Sequence, residues 1–158
     1  GRMQSRAQVL GHPVHQIVVM FPMGAFGFAT ATDTLHSLTG RQELASAGRL
    51  ALTFGLATAA VAIPFGLADW LAIRKGTRAK RVGAWHALGN AGVFTLFAAA
   101  RLLRQGSRVP VSAKILAAAG FTLSGATGWA GSELINRHRV GVHDVIGEDA
   151  PSSLSGAP

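Results

Sequence analysis

Six histidines and no cysteine bound the chemistry open to this chain. An imidazole nitrogen can ligate a transition metal or exchange a proton near neutral pH. Without thiols there is no disulfide, no covalently attached c-type haem and no thiolate-bound iron–sulfur cluster. Any metal or cofactor must therefore be held by nitrogen, oxygen or methionine sulfur. The histidines come in short polar motifs: His12 and His15 flank a proline in "GHPVH", and His86 and Asn90 lie four apart in "WHALGN". Glu133, Arg137, His138, Arg139 and His143 follow one another in "SELINRHRVGVHD". Asp69 precedes Trp70 in "GLADW", and His36 stands by itself. No nucleophile motif, phosphate loop or nucleotide fingerprint accompanies them, so nothing points to independent catalysis.

The elements that must position these groups are read from four stretches almost free of charge: Gln16 to Leu35, Gly48 to Ile73, Gly83 to Ala100 and Ile115 to Ile135. Each is long enough to cross a bilayer, for which about 20 helical residues suffice. A soluble bundle would carry a polar stripe on the water side of each helix. "LALTFGLATAAVAIPFGLA" has none. With 49% hydrophobic and 14% charged residues, the chain is predicted to be all-α: a four-helix antiparallel transmembrane bundle over residues 1–143, followed by a flexible tail over 144–158 rich in Pro, Ser and Gly. The first stretch does not read as a cleavable signal peptide, since it contains Pro22 and follows two histidines rather than a simple basic region. Pro22 and Pro64 are expected to kink their helices, and no sequence repeat is evident.

Four spans put both termini and the loop from Arg74 to Val82 on one side, A, and the other two connections on side B. The formal net charge of +8 then falls in the loops, with nine Lys and Arg on A (Arg2, Arg6, Arg74, Lys75, Arg78, Lys80, Arg81, Arg137, Arg139) and six on B. The positive-inside rule makes A cytoplasmic. Anionic lipid is a better partner for these charges than nucleic acid. Five histidines, His12, His15, His86, His138 and His143, converge on side A, and only His36 lies on B. Ionisable groups in spans usually face the bundle interior, so this convergence is the main functional signal.

Each residue also has a plainer role. The histidines fit an interfacial polar layer, and Trp70, Trp85 and Trp129 an aromatic belt. Asp69 fits an ion pair with the adjacent basic loop, Glu133 a helix end beside Arg137, and His12 a helix cap next to Pro13. Gly125, Gly128 and Gly131, with Gly24, Gly27, Gly89 and Gly92, serve either close helix packing or room for a flat cofactor.

Together, "GHPVHQIVVMFPMGAF", "GLADW", "HALGN" and "GWAGSELINRHRVGV" resemble a bacterial four-helix membrane family, domain-of-unknown-function family two-two-three-one. The resemblance covers Gly11 to Val142, with Gln16 where the family typically has proline and Trp70 where tyrosine is common. It implies a multi-pass protein of the bacterial inner membrane. The architecture is also similar to small b-type cytochromes, and some relatives look fused to Rieske-type iron–sulfur domains. Both imply electron transfer through a haem held by histidines from two helices.

Three functions follow. In the first, one haem b binds near side A through His15 and His86, with His12 and His138 as alternate ligands, Arg137 or Arg139 on the propionates, and Asn90 or Asp69 orienting a ligating ring. In the second, His12, His15, His86, His138, Asp69 and Glu133 supply a non-haem zinc, copper or iron site. In the third, a structural or regulatory subunit without a cofactor uses its histidines for pH sensing or proton conduction. Expected partners are membrane lipid, a redox partner such as a Rieske-type protein, and a second copy of the chain in a homodimer.

Overall fold

A computed structural model describes residues 8–9, 12–106 and 108–140. Arg2, Arg6, His143 and the predicted tail lie outside the described residues. Strands β1 (Gln8–Val9) and β2 (His12–Pro13) pair antiparallel, Val9 opposite His12. Helices α1 (Val14–Val18), α2 (Met20–Thr39), α3 (Gln42–Ala72), α4 (Arg78–Leu102) and α5 (Val111–Asn136) follow. The four charge-poor stretches fall on α1/α2, α3, α4 and α5. Only the ends differ: α3 begins six residues before Gly48, on a polar first turn containing Glu43.

Local chemistry sets the boundaries. Pro22 has no N–H to donate to the carbonyl four residues earlier. The first span is accordingly interrupted at Val19, between α1 and α2. Pro64 lies inside an unbroken α3. Gly40, at φ 70°, ends α2 in the left-handed conformation that glycine adopts without steric cost, and its N–H returns to the His36 carbonyl. Thr77 starts α4 by accepting from the Lys80 N–H.

Packing follows the short turns. Helix α2 lies chiefly against α3 and α4 chiefly against α5, and the two hairpins join through α3/α4 and α2/α5. Helices α2 and α4 meet across the centre, where Phe26 and Phe97 stack with ring centroids 4.0 Å apart and planes 6° from parallel. Each ring rests on a glycine of its hairpin partner. A Cβ on Gly55 would come 2.6 Å from Phe26 Cε1, and one on Gly120 3.0 Å from Phe97 Cε2. Gly55→Ala is therefore expected to cost ~1–3 kcal/mol by forcing Phe26 off its partner. Thermal unfolding in detergent would show this, and an unchanged midpoint would refute the packing argument.

These contacts repeat, although the sequence itself shows no evident repeat. His15, Phe26 and Asp33 each precede His86, Phe97 and Arg104 by 71 residues. Gly55, Ala62 and Gly66 on α3 each precede Gly120, Thr127 and Gly131 on α5 by 65. Two equivalent pairs meet across the centre, Phe26 with Phe97 and Asp33 with Arg104, as at an isologous interface. The bundle is thus two helical hairpins related by an approximate two-fold axis along its length. The repeat is hard to read in the sequence because equivalent positions differ in kind, as with Asp33 and Arg104 or Ala62 and Thr127.

The interior is lined by small residues such as Ala29, Ala45, Ala100, Ala113 and Ala117, while large apolar side chains point outward. Leu50 is 72% exposed, Trp85 72%, Leu102 79% and Trp129 69%. Such a surface would aggregate in water and suits lipid. Residues 14–39 and 42–72 are long and apolar enough to cross a membrane. Helices α4 and α5 are of similar length but richer in small and polar residues.

Of the three tryptophans assigned to an aromatic belt, Trp85 and Trp129 face outward and Trp70 does not. Lys80 Nζ lies 3.7 Å from the Trp70 ring centroid and donates to the Trp70 carbonyl, while Trp70 Nε1 donates to the Lys80 carbonyl. The indole clasps the α3–α4 hairpin shut, on the bare backbone of Gly83.

Candidate two-histidine site

At the end of the bundle where α1 begins, the A end, the two-fold repeat brings His15 and His86 to equivalent places. His15 Nδ1 lies 3.2 Å from the Ala62 carbonyl on α3, and His86 Nδ1 lies 2.8 Å from the Thr127 carbonyl on α5. A carbonyl only accepts, so both rings carry the proton on Nδ1 and leave the Nε2 lone pair as the working nitrogen. Four residues past each carbonyl is a glycine. A Cβ there would come 2.7 Å from His15 Cε1 at Gly66 and 2.9 Å from His86 Cε1 at Gly131. These two glycines give the rings room, and of them Gly131 is one of the seven glycines the sequence singled out. Gly125 and Gly128 have open space beside them.

Asn90 completes the His86 half. Its Nδ2 lies 3.0 Å from His86 Nε2, and its Oδ1 accepts from Thr127 Oγ1 at 3.1 Å. Because His86 Nδ1 donates to the Thr127 carbonyl, Nε2 is an acceptor and the Asn90 amide presents N–H to it, while the Thr127 hydroxyl is shared between Asn90 Oδ1 and the Ser124 carbonyl. The circuit His86–Asn90–Thr127 locks α4 to α5.

The residues fit a bis-imidazole metal ligand set in one respect. Ligating histidines are commonly held by an Nδ1–H bond to a backbone carbonyl, and both rings have one. In another respect Asn90 competes, because it occupies the nitrogen that would ligate.

The other expected residues stand apart. His12 is exposed on β2, and His138 follows α5 with its backbone N–H on the Glu133 carbonyl. Arg137 is exposed and pairs with Glu133 at 3.3 Å, which is the plainer role foreseen for both. Asp69 is half-buried near the end of α3. Among the described residues no three or more His, Asp or Glu side chains gather as a metal would require. The non-haem site of three or four ligands is therefore not assembled among them.

A second polar centre, missed in the sequence, lies at the B end. Arg104 Nη1 donates to Asp33 Oδ1 at 2.8 Å and Nη2 to Oδ2, both side chains being almost wholly buried. Arg104 Nε also donates to the Ala100 carbonyl at 3.2 Å. Gly48 makes the room: a Cβ there would come 3.2 Å from Arg104 Nη1 and 2.8 Å from Thr32 Oγ1. The available signal was Asp33 within a charge-poor stretch. Arg104 looked like an ordinary loop cation. Nearby on α2, both ring nitrogens of His36 are buried without a hydrogen-bond partner among the described residues. His36→Leu is expected to leave stability unchanged or raise it by ~1 kcal/mol, because it removes an unsatisfied polar group. A lowered melting temperature would show instead that the imidazole has a partner.

An all-helical bundle with an apolar exterior, small-residue interior and polar groups turned inward defines a membrane protein. The chain belongs to the family described as "Predicted membrane protein (DUF2231)", whose model matches residues 11–144. Comparison with curated proteins and with solved structures gives no match.

Proposed function

We propose that this protein crosses the bacterial inner membrane four times, with the A end cytoplasmic, and binds one haem b between His15 and His86 to transfer electrons. The observation that carries this reading is the pair of two-fold-related imidazoles, each with Nδ1 held by a backbone carbonyl, with His15 Nε2 open to ligate and His86 Nε2 held only by the Asn90 amide. Such a pair suits low-spin iron that changes oxidation state with little change in structure. The haem would supply the redox chemistry. The chain would hold the rings, exclude water with its small-residue core, and set the potential through burial and hydrogen bonding. Outward-facing large apolar residues on all four long helices support four spans rather than two. A Rieske-type protein remains the proposed redox partner, and a homodimer the proposed assembly.

One observation favours a second reading, a polar clamp without a cofactor: the His86–Asn90–Thr127 circuit already satisfies both nitrogens of His86. Expression with haem supply separates the two. A reduced-minus-oxidised b-type spectrum in the purified membrane protein supports the haem reading, and colourless protein favours the clamp. Recovery of the chain from the soluble fraction would overturn both.

A further inference from the structure

The two-fold axis relates residues that differ at one decisive place. Asn90 corresponds to Val19, and Thr127 to Ala62. The His86 half therefore has an amide and a hydroxyl where the His15 half has only apolar side chains. His86 Nε2 receives the Asn90 amide, whereas His15 Nε2 takes no hydrogen-bond partner among the described residues. We infer that Asn90 is a gate that makes the two histidines unequal, with His15 the standing ligand and His86 an exchangeable one whose place a small exogenous ligand can take.

The chemistry is lone-pair competition. An imidazole nitrogen can give its lone pair to a metal or to an N–H donor, not to both. Ligation through His86 must first break the bond from Asn90, and ligation through His15 breaks none. Asn90 and Thr127 are the polar side chains linked to His86, so an exogenous ligand taking the place of His86 would meet an amide and a hydroxyl. The ligand that fits is small and able both to bind iron and to accept a hydrogen bond, such as a diatomic gas or a compact anion. The exchange swaps one donor–acceptor pair for another and moves no electrons. This use of the gate rests on the haem reading above, but the inequality of the two nitrogens does not.

The inequality can be tested on the full-length protein without cofactor. Diethyl pyrocarbonate acylates imidazole at an available lone pair, and mass spectrometry reads each histidine separately. His86 should react about fivefold more slowly, relative to His15, than it does in Asn90→Val, the difference one hydrogen bond makes. An unchanged ratio overturns the gate, whatever the protein binds. In haem-loaded protein, Asn90→Val should slow binding of carbon monoxide to the ferrous form by a similar factor, since His86 is then uncontested. Equal rates in the two proteins overturn the exchangeable-ligand role. Protein that takes up no haem but shows the expected acylation ratio leaves the inequality of the two histidines standing and removes both the haem reading and the exchangeable-ligand role.

Discussion

Asp33→Ala should lower stability by ~3–5 kcal/mol, the cost of leaving a buried guanidinium without its counter-ion. Arg104 is fully buried and makes two bonds to the carboxylate and a third to the Ala100 carbonyl. Arg104→Ala should cost a similar amount. Asp33→Arg should be worse than either, because it places two cations across the axis. The two positions are equivalent by the internal repeat, so the double reversal Asp33→Arg with Arg104→Asp should regain part of the loss. Recovery stays partial because the guanidinium now lies on Gly48, and the equivalent of Gly48 is Ala113. Arg101→Ala is the control. Arg101 Nε donates to Thr53 Oγ1 at 2.7 Å, but at an exposed site, so its loss should cost less than ~1 kcal/mol. Melting in detergent ranks the five variants. Single variants that melt within a degree of the parent would show the pair to be solvated.

The second large effect is expected at His86. His86→Ala should abolish the low-spin bis-imidazole spectrum and leave haem on His15 alone, and His15→Ala should remove the standing ligand and with it the haem, while His36→Ala leaves the spectrum intact. Two ligands on diagonal helices close a bis-imidazole site that neither can form by itself. His86→Ala also cuts the circuit through Asn90 and Thr127, leaving Asn90 Nδ2 without its acceptor and the α4–α5 contact weaker by ~1–3 kcal/mol. Spectrum and melting temperature thus report different roles of one residue. A His86→Ala protein that keeps a bis-imidazole spectrum would dismiss His86 as a ligand. One that loses the spectrum but melts normally would separate ligation from clamping.

Much of the fold was legible because composition alone encodes it. A helix with no polar stripe must face lipid or protein on every side, which marked the four long helices and their turns. Pro22 announced the break near Val19. The candidate site was legible in part: His15 and His86 could be paired once four antiparallel helices were assumed, since topology fixes which ends meet. His12 and His138 shared that end by the same reasoning, but topology fixes only depth along the bundle and not the direction around each helix. Arg137 and Glu133 satisfied each other locally, as a pair four residues apart on a helix can.

By itself, then, the sequence determined the helices, their apolar character and the set of residues placed toward one end, because length and apolarity act locally along the chain. Tertiary structure decided what required a partner from elsewhere. It set the glycine beneath each ring, the carbonyl that fixes each histidine tautomer, the amide that distinguishes His86 from His15, and the ion pair between Asp33 and Arg104. Those depend on which side chains face one another in the bundle, and a residue's neighbour 41, 47 or 71 positions away is a property of packing.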